Sequence, residues 1–417
     1  MAQASRWARE TPMLQIAITH VDFPLYWQAR LQALAARAAC EDAQLLVIEA
    51  ISSGLGNYAF AGGTQNGSLR WMRLYESGDL ASLPPSEVSA RVWASLERAR
   101  PDAVICGPVA FTPGATAVRW CRARRRGVVV MDDARTVDVP RTRLINAIKK
   151  RVYANVDAML VPAASHLPTC EFFGIRPDRV FYGYDVVDNQ KFADAAQAAR
   201  SRSGRAAGGH ELPERFFLGV GRQVPKKNWP FLVESYARYR SQAKHPYDLV
   251  LVGDGPERKT IEARARETAG VHLLPFLAPE DLPAAYARAA CLVLPSFHGE
   301  TRGLVINEAM ASGLPVLVSD ECGCAQTLVE QGRNGWTFSP HRGEELAELL
   351  RRMSELDEAG RAAMGRHSLA IIADWTLERF ADGAWNAVRA CLDSRRGYAG
   401  LLDRLLLSQW KGRFRAT

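Results

Sequence analysis

Leu292-Val293-Leu294-Pro295-Ser296-Phe297-His298-Gly299-Glu300-Thr301-Arg302-Gly303-Leu304-Val305-Ile306-Asn307-Glu308-Ala309-Met310-Ala311-Ser312-Gly313-Leu314-Pro315-Val316-Leu317-Val318 is the stretch whose reading decides the fold. It opens on one short apolar run, Leu292 to Leu294, and closes on another, Val316 to Val318. Between them Leu304 to Ala311 reads as a helix that Gly313 stops. Two continuous apolar runs joined by a helix describe parallel strands buried on both faces, with the helix as crossover.

The same alternation extends outward. Upstream lie predicted strands at Arg215–Val220, Leu249–Val252 and Val271–Leu274, with helices over Asn228–Arg240, Arg258–Thr268 and Asp281–Ala289. Nearer the N-terminus, strands are expected at Leu14–Ile18, Leu45–Ile48, Ala103–Cys106, Gly127–Met131, Ala158–Val161 and Arg179–Tyr182. Helices fall at Tyr26–Cys40, at Ser86–Ala99 with a Ser N-cap, and at Pro113–Arg126. Ser52 to Gly78 is rich in Gly, Ser and Asn and reads as a loop or insertion. Asp194 to Pro213 is rich in Ala, Ser, Gly and Arg and is the linker candidate. The expected organisation is an N-terminal Rossmann-like domain at 1–193, a linker at 194–213 and a second such domain at 214–375. The helices of 376–417 should return to the first domain. Ligands bind beyond the carboxyl ends of parallel strands, so two such sheets facing each other share one cleft.

Bulk composition narrows the class. The chain has 417 residues, 47% hydrophobic and 24% charged, as expected of a soluble globular protein of two to three domains. A net charge of +8 favours acidic partners such as phosphates or anionic lipid; no nucleic acid is expected. Eight cysteines are scattered without a paired CxxC pattern, so no structural zinc is expected. They read as buried, reduced thiols of a cytoplasmic protein, Cys322-Gly323-Cys324 being the one close pair. No signal peptide is visible, and no run approaches the ~20 apolar residues of a membrane-spanning helix.

Chemistry concentrates at Pro295–Pro315. Thr301-Arg302-Gly303 leads into the helix, so Gly303 and Leu304 present free backbone N–H groups and the positive end of a helix dipole, a place for a diphosphate. Glu308 lies five residues beyond Gly303, about 7.5 Å along the axis, within reach of an attached ribose. Glu300, in the loop before the helix, is placed to hydrogen-bond a sugar. The alternative is that both are ordinary surface carboxylates. A second segment, Gly221-Arg222-Gln223-Val224-Pro225-Lys226-Lys227-Asn228, follows a strand and opens a helix. Gly221 permits close backbone approach. Arg222 and Lys227 are two fixed cations suited to the charge of a leaving diphosphate without a metal, or else a solvated basic turn. In the first half, His20, Asp132 and Asp133 follow strands and are expected at the cleft.

Taken together, Gly221-Arg222…Lys227-Asn228, Val252-Gly253-Asp254-Gly255-Pro256, Glu300…Glu308, Glu308–Val316 and the Asn334-Gly335-Trp336 turn resemble the family-4 retaining glycosyltransferases of GT-B fold. The match covers roughly Phe216 to Phe338. It implies two Rossmann-like domains facing across a cleft and hexosyl transfer, with retention, from a UDP-, GDP- or ADP-type sugar. No divalent metal or other cofactor is implied; a UDP- or GDP-sugar is the expected substrate. The first Glu (Glu300) would contact the donor sugar, the second (Glu308) the ribose, and Arg222 and Lys227 the diphosphate. Gly221, Gly303 and Leu304 complete the donor site, His20 joins the catalytic set, and Asp132 and Asp133 stand on the acceptor side. The first half departs from the family: His20-Val21-Asp22-Phe23-Pro24-Leu25-Tyr26-Trp27 replaces a Gly-rich loop, and Met131-Asp132-Asp133-Ala134-Arg135 stands where many members have a catalytic-region His. No paired nucleophile is evident, which favours front-face transfer with the leaving phosphate taking the acceptor's proton.

Arg141–Arg151 carries Arg141, Arg143, Lys149, Lys150 and Arg151 among Leu144, Ile145 and Ile148, a basic amphipathic helix fit for an anionic membrane surface or a solvated face. The tail at Leu401–Arg413 has the same character. A glycan or lipid-linked acceptor at the inner face of the plasma membrane is the expectation. Rival readings are a sugar-nucleotide epimerase, a phosphorylase, or a non-catalytic sugar-nucleotide-binding protein.

Overall fold

The structure is a computed structural model, which describes residues 13–51, 69–76, 82–138, 141–202, 206–297, 299–393 and 397–412. The first body runs β1 (Leu14–His20), α1 (Trp27–Ala39), β2 (Ala43–Ile51), β3 (Arg70–Tyr75), α2 (Pro85–Ala99), β4 (Ala103–Cys106), α3 (Thr112–Arg124), β5 (Gly127–Met131), α4 (Arg143–Tyr153), β6 (Ala158–Val161), α5 (Leu167–Phe172) and β7 (Val180–Tyr182). Its strands pair in parallel in the order β3-β2-β1-β4-β5-β6-β7. β4, β5 and β6 are buried at every position, which is why they read as unbroken apolar runs.

α6 (Asn189–Ser201) and a short hairpin, β8 (Ala206–Ala207) with β9 (His210–Glu211), lead to the second body. There β10 (Phe216–Val220), α7 (Trp229–Gln242), β11 (Asp248–Val252), α8 (Arg258–Arg266), β12 (Val271–Leu274), α9 (Leu282–Tyr286), β13 (Leu292–Leu294), α10 (Leu304–Ala311), β14 (Val316–Ser319), α11 (Ala325–Leu328) and β15 (Gly335–Phe338) alternate. The sheet order is β12-β11-β10-β13-β14-β15, again parallel. α12 (Gly343–Glu355), α13 (Glu358–Ile372), α14 (Leu377–Leu392) and α15 (Leu401–Gln409) follow.

Strand order reverses direction beside β1 in the first sheet and beside β10 in the second. These switch points are where an open parallel sheet leaves a crevice for ligand. They put His20 at one crevice, and Gly221 and the loop after β13 at the other.

Four sequence expectations are corrected. The stretch from Ser52 to Gly78, read as a loop, contains edge strand β3; its part at 52–68 lies outside the described residues, as do 77 and 78. The half-exposed Arg70-Trp71-Met72-Arg73-Leu74-Tyr75 lacks the unbroken apolar run of a central strand. α2 starts on Pro84 and Pro85 with no side-chain cap rather than on a Ser, because Pro presets the first-turn backbone. The expected linker is largely ordered: Asp194 to Ser201 continue α6, which Asp188 caps and alanines favour. Cys40 is exposed, while the other seven cysteines are buried free thiols.

α14 leaves the second body and packs on the first sheet, burying Phe380, Ala384, Trp385, Val388 and Cys391. The approach is close: a Cβ on Gly383 would stand 2.0 Å from the Tyr182 carbonyl oxygen. Phe380 meets the Trp27 ring edge-on at 6.1 Å. Truncating Phe380 to alanine should cost about 3–5 kcal/mol, seen as a lower urea midpoint for the first body. An unchanged midpoint would detach α14 from that core.

Candidate active site

The loop after β13 and the turn after β10 meet at the second crevice. α10 begins at Gly303, whose φ of 72° is left-handed; a Cβ there would stand 2.7 Å from the Leu294 side chain. No side chain caps α10, and no acidic residue lies in its first turn. The N–H groups opened by Gly303 and Leu304 are therefore not taken by a side-chain cap and suit an anion.

Glu300 faces the other segment. Its carboxylate is buried and accepts from Lys227 Nζ at 2.6 Å and from Ser296 Oγ at 3.2 Å. Burial alone would raise its pKa, but the Lys227 and Lys226 charges and these bonds hold it below the usual carboxylate range. Lys227 ends a 3-10 turn, Pro225–Lys227, and Asn228 then takes a left-handed φ of 56° to start α7. Lys226 donates to the Gly299 carbonyl at 3.1 Å, and Phe297 N–H donates to the Lys226 carbonyl at 3.1 Å. The two loops are thus laced together. Arg222 is half-buried beside Gly221, its carbonyl accepting from Trp229 Nε1 at 2.9 Å. Glu300, Glu308 and Lys227 are thus buried rather than surface groups, while Arg222 is half-buried and Pro225 exposed.

Glu308 is buried on α10, and burial raises its pKa. Tyr286 of α9 donates to its Oε2 at 2.6 Å. Tyr26, from the N-cap of α1 in the first body, donates to its Oε1. Other contacts cross the cleft as well: Thr301 Oγ1 donates to Asp133 Oδ2 at 2.5 Å, and Arg135 Nη2 to the Glu321 carbonyl at 2.9 Å.

In the first body the aspartates separate. Asp133 reaches the second body, whereas Asp132, expected at the cleft, turns inward. It accepts from Tyr153 OH at 2.8 Å and Ala134 N–H at 3.0 Å, and lines a small cavity with Tyr153, His166 and Phe173. Successive residues leaving a strand point to opposite sides, so only one of the pair can face the cleft. His20 stands at the end of β1 with Nδ1 3.1 Å from the Asp22 carbonyl and its ring among Phe23, Trp27 and Phe111. Burial lowers its pKa to about 4, so the ring is neutral near pH 7.

Residues that the sequence reading missed also gather here. Tyr26 and Tyr286 hold Glu308. Asp185, in a left-handed turn with φ 63°, lies 3.6 Å from Arg30, and burial pushes its pKa to about 7. Arg302 is buried against Trp375, its guanidinium 4.1 Å from the ring centroid. A left-handed non-glycine was the feature to find at Asp185, but no sequence signal fixes it.

Removing Lys227 as Lys227→Met should cost about 3–5 kcal/mol at pH 7, because it strips a buried carboxylate of its closest cation. Glu300, held below its usual range, contributes stability at neutral pH that is lost as pH falls through its lowered pKa. In the variant that pKa rises, so the gap to wild type should narrow on acidification. Denaturant titrations at several pH values check this; a gap constant with pH contradicts it.

Residues 202–368 match the family of glycosyl transferases group 1. The chain is 30% identical over 271 residues to D-inositol 3-phosphate glycosyltransferase of Acidothermus cellulolyticus, covering 59% of this chain and 57% of that one. It spans about half the length of the curated relatives it matches. Among solved structures, sucrose-phosphate synthase from Thermosynechococcus elongatus superposes with a TM-score of 0.69 at 19% identity, over 90% of this chain and 98% of that one. HepE from Anabaena, solved with UDP and glucose, gives 0.63 at 17% identity, over 89% and 98%. The likeness in fold covers both bodies, and the family match, over residues 202–368, includes Glu300, Glu308 and Lys227. With its two facing parallel sheets the chain has the GT-B fold, and its residues 202–368 match the glycosyl transferases group 1 family.

Proposed function

We propose that the protein transfers a hexosyl group, with retention, from a nucleoside-diphosphate sugar to a glycan or lipid-linked acceptor. The observation that carries this reading is the Lys227–Glu300 pair beside the uncapped start of α10. The diphosphate would sit on the Gly303 and Leu304 amides, with Arg222 and Lys227 offsetting the charge that grows as the glycosidic bond breaks. Glu300 would hold the donor sugar and Glu308 the ribose. Donor UDP or GDP suits a site of fixed cations and a helix end, which needs no metal. The acceptor would enter from the first body, past Asp133, and its proton would go to the leaving phosphate in a front-face attack. His20, neutral near pH 7, would line this side; Asp132, turned inward, would support it from below.

An acceptor at a cytoplasmic membrane face is the second part of the proposal. Among the described residues no helix is long and apolar enough to span a membrane. α4 exposes Leu144 and Ile145 beside Arg141, Arg143, Lys150 and Arg151. α15 packs beside α4 and exposes Leu401, Leu402 and Leu405. Apolar side chains ringed by basic ones suit an anionic lipid surface, with each basic residue adding about 1 kcal/mol.

Glu300→Gln should lower turnover at least tenfold, about 1.4 kcal/mol or more of transition-state stabilisation, while EDTA leaves the wild-type rate intact. Wild-type turnover in the variant, or a rate restored by Mg²⁺ or Mn²⁺ after EDTA, would contradict the donor-site assignment or its independence of metal respectively. Co-sedimentation with anionic vesicles should exceed that with neutral ones and fall with salt. Equal recovery under all conditions would return α4 to a solvated face.

A further inference from the structure

We propose that Tyr26 is a built-in competitor for the donor ribose: its hydroxyl occupies the Glu308 oxygen that the ribose needs, and links the two bodies across the cleft. The inference rests on the reading of Glu308 as the ribose ligand.

Two tyrosine hydroxyls meet one buried carboxylate from two bodies. Tyr286, fully buried on α9, belongs to the same body as Glu308 and donates to Oε2. It is a positioning residue, fixing the carboxylate plane. Oε1 is then the oxygen turned toward the first body, and Tyr26 holds it. A pair of hydroxyls on one carboxylate is also what the vicinal diol of a ribose presents. Ribose and Tyr26 therefore compete for one acceptor. Burial and the nearby carboxylate raise the pKa of Tyr26 well above its ordinary value, so the phenol keeps its proton and remains a donor.

The loop that delivers Tyr26 is built for it. Leu25, immediately before, has a φ of 49°, a left-handed conformation that costs a non-glycine residue energy and must be held by its surroundings. This is the His20–Trp27 segment after β1, and Tyr26 at its end reaches across the cleft. Arg30, one turn on, sits 5.8 Å from the Tyr26 ring centroid. Its Nε and Nη2 donate to the Val186 carbonyl at 2.8 and 2.6 Å, and Nη1 lies 3.6 Å from Asp185. Val186 and Asp185 belong to the segment that leaves β7 toward α6, where the chain passes to the second body. Displacing Tyr26 from Glu308 thus disturbs a contact chain, Tyr26 to Arg30 to Asp185 and Val186, that ends at the crossing between the bodies. Ribose binding would be reported to the crossing through this chain.

The test is calorimetric titration of UDP and GDP into wild type, Tyr26→Phe, Glu308→Gln and the double variant. Phenylalanine keeps the ring beside Arg30 and removes only the hydroxyl. The nucleotide that binds wild type should bind Tyr26→Phe on the order of tenfold tighter, the effect of deleting one competing charge-assisted hydrogen bond. In the Glu308→Gln background the gain from Tyr26→Phe should shrink. Glu308→Gln should itself weaken binding, which tests the ribose reading separately. Equal or weaker binding by Tyr26→Phe, with Glu308→Gln still weakened, overturns the clasp and leaves the ribose site standing. No effect of Glu308→Gln in either background removes the ribose site and the clasp with it. Binding of neither nucleotide to wild type or to Tyr26→Phe overturns the clasp as well.

Discussion

The ion pair between Lys227 and Glu300 is the contact on which the cleft depends. A carboxylate buried to this degree is costly unless a cation and hydrogen bonds accompany it. Lys227, Lys226 and Ser296 supply them. The consequence is geometric: the loop after β13 cannot drift from the turn after β10. With the loop fixed, Gly303 sets the start of α10, and Gly323 N–H donates to the Glu300 carbonyl at 2.9 Å, tying in the segment after β14. Three connections at the carboxyl edge of the second sheet are therefore held by one buried charge pair.

The first body closes on this edge with polar groups that are themselves desolvated. Thr301 bonds Asp133, Arg135 bonds the Glu321 carbonyl, and Tyr26 bonds Glu308. Burial shifts the pKa values of the groups behind them in the directions it must: up for Asp132, Asp185 and Glu308, down for His20 and His166. Asp185, whose pKa of about 7 lies in range near neutral pH, is one of the groups that can titrate there.

The sheet architecture was legible because parallel strands covered on both faces have no polar positions: Val128-Val129-Val130 and Leu292-Val293-Leu294 admit little else. The start of α10 was legible because a helix start between two such strands favours a glycine where Gly303 stands. β3 was not legible, since an edge strand with Arg70 and Arg73 mixes polar and apolar residues beside a Gly-rich stretch. The alanines that suggested a flexible spacer also build α6. Which of Asp132 and Asp133 faces the cleft depends on the phase at which β5 ends. Tyr26 meeting Glu308 is a contact between residues 282 apart in sequence, and no local pattern encodes it.

The central claim is that this edge of the second body binds the nucleoside diphosphate of a sugar donor. Calorimetric comparison of wild type with Lys227→Ala, titrating UDP, GDP and ADP, tests it most directly. One nucleotide should bind wild type at one site per chain and bind the variant roughly ten- to a hundredfold more weakly, the loss of a charge-assisted contact of about 1.5–3 kcal/mol. Equal affinity of the two proteins for every nucleotide that binds, or no binding to wild type at all, would contradict it.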